Sequence, residues 1–275
     1  MRATPEGKEK LLADLIYAEE ERPIVAQIFS GNEEHMEGAA KLCRELGFDG
    51  IDINMGCPDR AIERQGAGSA MIKHPQAAAN IIRATQRGVG DLPVSVKTRL
   101  GYNQDELEEW LPALLKENPA AVTIHARTRK EMSKVPARWE RIARAVAIRD
   151  KAGSQTLIFG NGDLTDVADA KQRVAETGAD GAMLGRAIFG NPWLFHPSKD
   201  ATNVSVKEKL TVMLEHTHLF TELLPHKHFA IMKKHYKAYI NGFDGAKELR
   251  SELMETNTAT EVTTLVHSFL TKNKS

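Results

Sequence analysis

Six short apolar runs, each ending in polar or glycine residues, constrain this chain more than any other feature. Ile24-Val25-Ala26 leads into Gln27, Ile51-Asp52-Ile53 into Asn54, and Val94-Ser95-Val96 into Lys97. Val122-Thr123-Ile124 leads into His125, Thr156-Leu157-Ile158-Phe159 into Gly160-Asn161-Gly162-Asp163, and Ala182-Met183-Leu184 into Gly185-Arg186. Runs this short, bounded by turn residues, read as strands buried on both faces. Helical spacing fills the intervals. Residues 34–46 place Met36, Ala39, Ala40, Cys43 and Leu46 on one face, and 75–86 and 105–116 read similarly. Strands alternating with helices give βα units and a parallel sheet. Polar residues at every strand's C-terminal end favour a TIM-type (β/α) barrel, because an open sheet gathers them at one switch point.

A closed barrel of this type needs eight strands, and six are visible. A helical stretch over residues 5–20, with Leu11, Leu12, Leu15 and Ile16 apolar, precedes the first of them. In a βα series such a helix is the second half of an earlier unit. The expected fold is therefore an incomplete α/β barrel whose further strands belong at the N-terminal side. The strands holding Gln27 and Gly185 should then not pair with each other.

After Trp193-Leu194-Phe195 the pattern changes. Residues 196–203 are polar, carry Pro197 and read as a linker. From Lys207 onward the spacing is helical throughout. Leu210, Met213, Leu214, Thr217 and Phe220 form one stripe, and Phe229, Met232, Tyr236 and Tyr239 a second. Ala246, Leu249, Leu253 and Met254 form a third, and Val262, Leu265, Val266 and Phe269 a fourth. The division expected is a barrel over residues 1–198 and an all-helical domain over 199–275.

Composition removes several function classes. Lys and Arg balance Asp and Glu, so the whole chain has no electrostatic commitment to nucleic acid. No apolar run reaches membrane-spanning length, and the first residues lack the apolar core of a signal peptide. The two cysteines, Cys43 and Cys57, read as free thiols of a reducing, cytoplasmic compartment. Neither has a second Cys or His at ligand spacing, so no metal site is expected.

The site chemistry concentrates at strand ends. Asn54-Met55-Gly56-Cys57-Pro58 brings an amide and a thiol to one tight turn. Gly160-Asn161-Gly162-Asp163 and Gly185-Arg186 resemble the phosphate site that barrels build after their last strands, with glycine backbone open to an anion and Arg186 adding charge. Lys97 lies between these ends and needs an electron-rich partner if buried. A flavin offers one at N1 and O2, with Gln27 and His125 placed to hydrogen-bond the ring edge. Each of these residues alone is also readable as a turn or salt-bridge residue, the set much less so, and Cys43 is a packing residue.

The chain resembles the tRNA-dihydrouridine synthases. The matching segments are Asp52-Ile53-Asn54-Met55-Gly56-Cys57-Pro58, Gln65-Gly66-Ala67-Gly68-Ser69-Ala70, Val94-Ser95-Val96-Lys97-Thr98-Arg99 and Thr123-Ile124-His125-Ala126-Arg127-Thr128-Arg129. Gly160-Asn161-Gly162-Asp163, Met183-Leu184-Gly185-Arg186 and Gly190-Asn191-Pro192-Trp193 follow in the family's order. The resemblance implies a flavin-bearing barrel with a C-terminal helical domain, FMN reduced by NADPH, and reduction of tRNA uridines to dihydrouridine by a monomeric enzyme. It places Gln27, Lys97, His125, Asn161, Gly162, Asp163, Gly185 and Arg186 on flavin positions. Cys57 falls on the proton donor, and Asn54 on the substrate side. The family begins with two strands that have no counterpart here, which agrees with the strand count.

An RNA path is expected from local charge. Lys227, Lys233, Lys234 and Lys237 form an acid-free run interleaved with Phe229 and Tyr236, suited to phosphate contact and stacking, or simply to a solvated face. Arg127 and Arg129, with Lys130, Lys134 and Arg138, make a second cluster on the substrate side. Residues 61–68 carry glycines that suit a loop closing over a base. Two alternatives stay open: a flavin barrel acting on a free pyrimidine, of dihydroorotate or dihydropyrimidine dehydrogenase type, and a non-catalytic RNA-binding remnant.

Overall fold

A computed structural model describes residues 5–199 and 203–272. The chain divides into two compact units, Tyr17–Gly185 and a second joining Met1–Ile16 to Arg186–Ser275.

The first unit is a six-stranded parallel sheet in the order β1-β2-β3-β4-β5-β6. The strands are β1 (Val25–Ile28), β2 (Gly50–Asn54), β3 (Val94–Arg99), β4 (Ala121–His125), β5 (Leu157–Asn161) and β6 (Gly181–Met183). Between them run α2 (Glu33–Glu45), a short α3 (Arg60–Glu63), α4 (Pro75–Val89), α5 (Leu107–Leu115), α6 (Glu140–Lys151) and α7 (Val167–Thr177). Local chemistry sets their ends. Asn32 caps α2 by accepting from the His35 N–H, Asp59 caps α3, and Asp166 caps α7. Pro75 opens α4, and Gly178 closes α7 in the left-handed conformation at φ 69°.

Register separates the two faces of the sheet. Gln27 is opposite Asp52, Asp52 opposite Ser95, Asn54 opposite Lys97, Arg99 opposite His125, and His125 opposite Asn161. Partners in register share a face, so these polar residues all lie on one side. The other side carries Ala26, Ile51, Ile53, Val94, Val96, Val122, Ile124 and Ile158, all buried. Burying each Ile or Val there stabilises by about 1.5–3 kcal/mol before the entropy cost.

β1 and β6 stand at opposite ends of the strand order and do not pair among the described residues, as the strand count required. The architecture is an incomplete (β/α) barrel with an all-helical portion. In a closed barrel the polar face would be packed in layers. Here Val25 and Leu157, on that same face, remain 48% and 44% exposed.

In the second unit, α8 (Val206–Leu223), α9 (Lys233–Tyr239), α10 (Ala246–Glu255) and α11 (Ala259–Lys272) enclose a core. Leu210, Met213, Met232, Tyr236, Leu249, Leu253, Val262 and Val266 fill it, so all four sequence stripes are core stripes.

Two expectations need correction. The first helix, α1 (Pro5–Ala13), stops well short of residue 20, and residues 19–21 form a separate 3-10 turn. The chain leaves the helix because Tyr17 is tied elsewhere: its hydroxyl donates to the carbonyls of Leu46 and Gly47, and its ring lies 4.9 Å from that of Phe48. Moreover, α1 groups with the C-terminal helices, not with the sheet. The unit boundary also falls at Gly185/Arg186, not at 198/199. Residues beyond the last strand are already bound to the helices. A Cβ on Gly190 would sit 2.2 Å from the Ala238 carbonyl oxygen, and the Phe189 ring packs 5.5 Å from His235.

Candidate active site

The Cys57 turn is built from three side chains on two adjacent strands. Asn54 ends β2, and its carboxamide oxygen accepts from the N–H groups of Gly56 at 3.1 Å and Cys57 at 2.9 Å. Its amide nitrogen donates to Gln27 Oε1 at 2.9 Å, and Gln27 Nε2 donates to Asp52 Oδ2 at 2.7 Å. Gly68, at φ +61°, lies so close that an added Cβ would meet the Cys57 carbonyl oxygen at 2.7 Å. Cys57 is half-buried and free, and Cys43 is buried on α2.

Lys97 stands beside this turn on β3. Burial, and then the charge of Arg99, lower its ammonium to about 7, with Asp52 pulling the other way. Its ammonium makes no hydrogen bond to any described residue, whereas its backbone carbonyl accepts from the Met55 N–H at 2.8 Å. Arg99, two residues on, is buried and spent on backbone: Nε donates to the Gly56 carbonyl at 2.7 Å, and Nη1 donates to those of Thr128 and Met132.

His125 ends β4. Burial and the charges of Arg99, Lys97 and Arg127 push it down to about 3, so it is neutral at physiological pH. Arg127 Nη1 lies 3.0 Å from His125 Nε2. A guanidinium can only donate, so Nε2 accepts and the ring proton sits on Nδ1. Arg127 is itself buried, bonded to the Val135 carbonyl and to Asp163.

Arg129 forms an ion pair with Glu63 of α3 and approaches the Pro58 carbonyl at 3.5 Å. Ser69 donates to Glu63 at 2.8 Å and to the Cys57 carbonyl at 2.9 Å. Residues 61–68 are thus pinned at both ends. Gly31 packs against them so closely that an added Cβ would lie 2.3 Å from the Gln65 carbonyl oxygen.

The expected phosphate end is only partly assembled by the first unit. Asn161 Nδ2 donates to the Met183 carbonyl at 2.8 Å, tying β5 to β6. Gly162, at φ +127°, gives its carbonyl to the Trp139 indole N–H at 3.0 Å. Asp163 holds Arg127 and the Ala137 N–H. Gly185 has nothing within 4 Å of an added Cβ, so no close approach requires a glycine there. Arg186 opens the second unit at the start of a 3-10 turn.

The basic run of the helical unit is not one free face. Lys227 pairs with Asp14 at 2.7 Å, and Lys233 donates to the Met254 carbonyl at 2.5 Å. Lys234 and Lys237 are exposed one turn apart on α9, with Lys234 5.8 Å from the Phe189 ring. Tyr236 is fully buried with its hydroxyl 3.2 Å from Thr217 and offers no stacking surface, while Phe229 is half-buried against the same core.

Sequence reading passed over Asp52, Ser95, Glu63 and Ser69. Asp52 carried the one available signal, a carboxylate inside a run otherwise suited to a two-sided buried strand.

A parallel α/β barrel sheet with a half-buried lysine, a neutral histidine and a turn-borne thiol at its strand ends defines an enzyme site of the barrel class. The family description dihydrouridine synthase matches residues 2–274. The chain is 41% identical over 268 residues to a probable tRNA-dihydrouridine synthase 2 of Bacillus subtilis (strain 168), covering 96% of this chain and 81% of that protein. It is 39% identical to a probable tRNA-dihydrouridine synthase of Staphylococcus aureus (strain MRSA252), covering 96% and 80%. The chain belongs to the dihydrouridine synthase family, a family of oxidoreductases. Among solved structures, morphinone reductase in complex with tetrahydroNAD aligns at 18% identity over 59% of this chain and 46% of that one, with a TM-score of 0.43. No helix among the described residues is long and apolar enough to cross a membrane.

Proposed function

We propose that this chain reduces selected uridines of tRNA to 5,6-dihydrouridine, in the cytoplasm and as a monomer, with FMN as its cofactor and NADPH as reductant. One observation carries the reading: Lys97, His125 and the Cys57 turn converge at adjoining strand ends, and the lysine ammonium has no hydrogen-bond acceptor among the described residues.

The donor set fits a flavin. A half-buried ammonium held near 7 gains an acceptor from an electron-rich ring edge. His125 keeps an Nδ1–H to give, because its other nitrogen is taken by Arg127. Gln27, Lys97 and His125 would hold the ring, and Asn161, Gly162, Asp163, Gly185 and Arg186 the phosphate side. Bound FMN, reduced by NADPH, would supply the hydride added at uracil C6.

The remaining chemistry belongs to the chain. Cys57 gives its Sγ proton to uracil C5 from the opposite face, general acid catalysis worth about 10²–10⁴ in rate. Asn54 fixes the backbone that carries the thiol and faces the substrate side. Arg127 and Arg129 line that side, both held by acidic partners. The target base is unreachable while stacked and must be exposed first. The sheet unit then serves flavin and the helical unit RNA, with Lys234 and Lys237 the exposed members of the lysine run.

The test combines the purified chain with FMN, NADPH and unmodified tRNA, followed by nucleoside mass analysis. A gain of two hydrogens on uridine is expected. Flavin retention without any such gain would sink the substrate assignment.

A further inference from the structure

Asp52 is the least expected residue of the site. It lies mid-strand in β2, between Ile51 and Ile53, and is 7% exposed. A buried carboxylate is costly unless its oxygens are bonded. Both are: Oδ1 accepts from Ser95 Oγ at 2.6 Å, and Oδ2 from Gln27 Nε2 at 2.7 Å. No ion pair to Asp52 occurs among the described residues.

The bonds run in one direction. Because Asp52 takes the amide hydrogens of Gln27, Gln27 must turn Oε1 to Asn54, which donates to it at 2.9 Å. Asn54, with its nitrogen so committed, turns Oδ1 to the N–H groups of Gly56 and Cys57. A carboxamide can flip, exchanging donor and acceptor, whereas an ionised carboxylate can only accept. Flipping both amides would set the Asn54 NH₂ against two backbone N–H groups.

We propose that Asp52 is the positioning residue of this site, fixing the polarity of the Gln27–Asn54 relay that holds the Cys57 turn. Its functional weight rests on the reading of Cys57 as proton donor. Its structural content does not.

Asp52→Asn tests the idea with little change of shape. The introduced carboxamide can offer Gln27 either its oxygen or its NH₂, since the Ser95 hydroxyl accommodates both. The relay is then no longer fixed at its Asp52 end and is held in direction by the Gly56 and Cys57 N–H groups alone. Asp52→Asn with Gln27→Glu restores the fixed end one link further on. The carboxylate introduced at position 27 would accept from the carboxamide introduced at position 52 on one side and from Asn54 on the other.

The readout is residue-resolved amide hydrogen exchange of the full chain without flavin. In Asp52→Asn, exchange at Gly56 and Cys57 should accelerate by about fivefold or more, as losing a hydrogen bond worth roughly 1 kcal/mol implies. Ile51 and Ile53, bonded in the sheet, should be unchanged, and the double variant should return Gly56 and Cys57 to the parental rate. A smaller change, equal acceleration at Ile51 and Ile53, or failure of the double variant to recover would overturn the proposal. In turnover, Asp52→Asn should lower kcat more than it raises KM for tRNA. If the exchange results hold while Cys57→Ala turns over normally, the proton-donor reading falls and the Asp52 relay stands.

Discussion

Arg127 donates to Nε2 of His125 at 3.0 Å, so a permanent cation fixes the tautomer of the ring it touches. It also opposes protonation of that ring, together with burial and the charges of Arg99 and Lys97, and holds His125 at about 3. Between pH 6.5 and 3 the unfolded chain binds a proton that the folded one refuses, so this residue makes stability fall as pH drops through that window. His125→Gln should therefore lose less stability than the parent between about pH 7 and pH 4.5 in urea titrations. Parallel losses in the two proteins would show that His125 protonates freely in the fold.

Lys97 gives the opposite end of the pH scale. Its folded value near 7 lies below the ordinary 10.5, so the unfolded chain holds more protons between those values. Stability should rise with pH across that window, and Lys97→Met should remove the rise. The same variant should be no less stable than the parent at about pH 7 when free of flavin, yet purify with less flavin absorbance. A destabilised Lys97→Met with full flavin content would contradict both parts.

Glu63 and Arg129 tie α3 to the segment after β4, and both side chains are largely shielded, at 11% and 24% exposure. Removing either leaves a charge without its partner. A double-mutant cycle on Glu63→Gln and Arg129→Met should give a coupling of about 1–3 kcal/mol in urea denaturation. Additive single effects would mean that the pair does not secure the Cys57 segment.

The four lysines of residues 227–237 should separate into two classes. Lys234→Ala with Lys237→Ala should weaken tRNA binding and flatten its salt dependence, because fewer counterions are released. Lys227→Ala with Lys233→Ala should chiefly lower thermal stability, through the lost Asp14 pair and Met254 bond. Equal binding losses from both pairs, measured at two salt concentrations, would restore the single-patch reading.

The strands were legible because each is a short apolar run cut off by a polar residue, a pattern that helices rarely share. For the same reason Lys97 and His125 stood out, as titratable groups at the ends of runs that leave no solvent-facing side. Asp52 did not stand out as functional, since its meaning comes from Gln27 and Ser95, 25 and 43 residues away. The lysine run misled for a related reason. Lys227 finds Asp14 across 213 residues, and Tyr236 turns inward, neither of which a local window records. The first helix was overextended because apolar spacing cannot see that Tyr17 is anchored to Leu46 and Gly47.

The most direct test of the central claim is nucleoside mass spectrometry of tRNA from a host strain lacking the gene for this protein. Dihydrouridine should disappear from at least one tRNA position, return with the intact gene, and stay absent with Cys57→Ala. Unchanged dihydrouridine in the deletion strain, or full recovery with Cys57→Ala, would contradict the account.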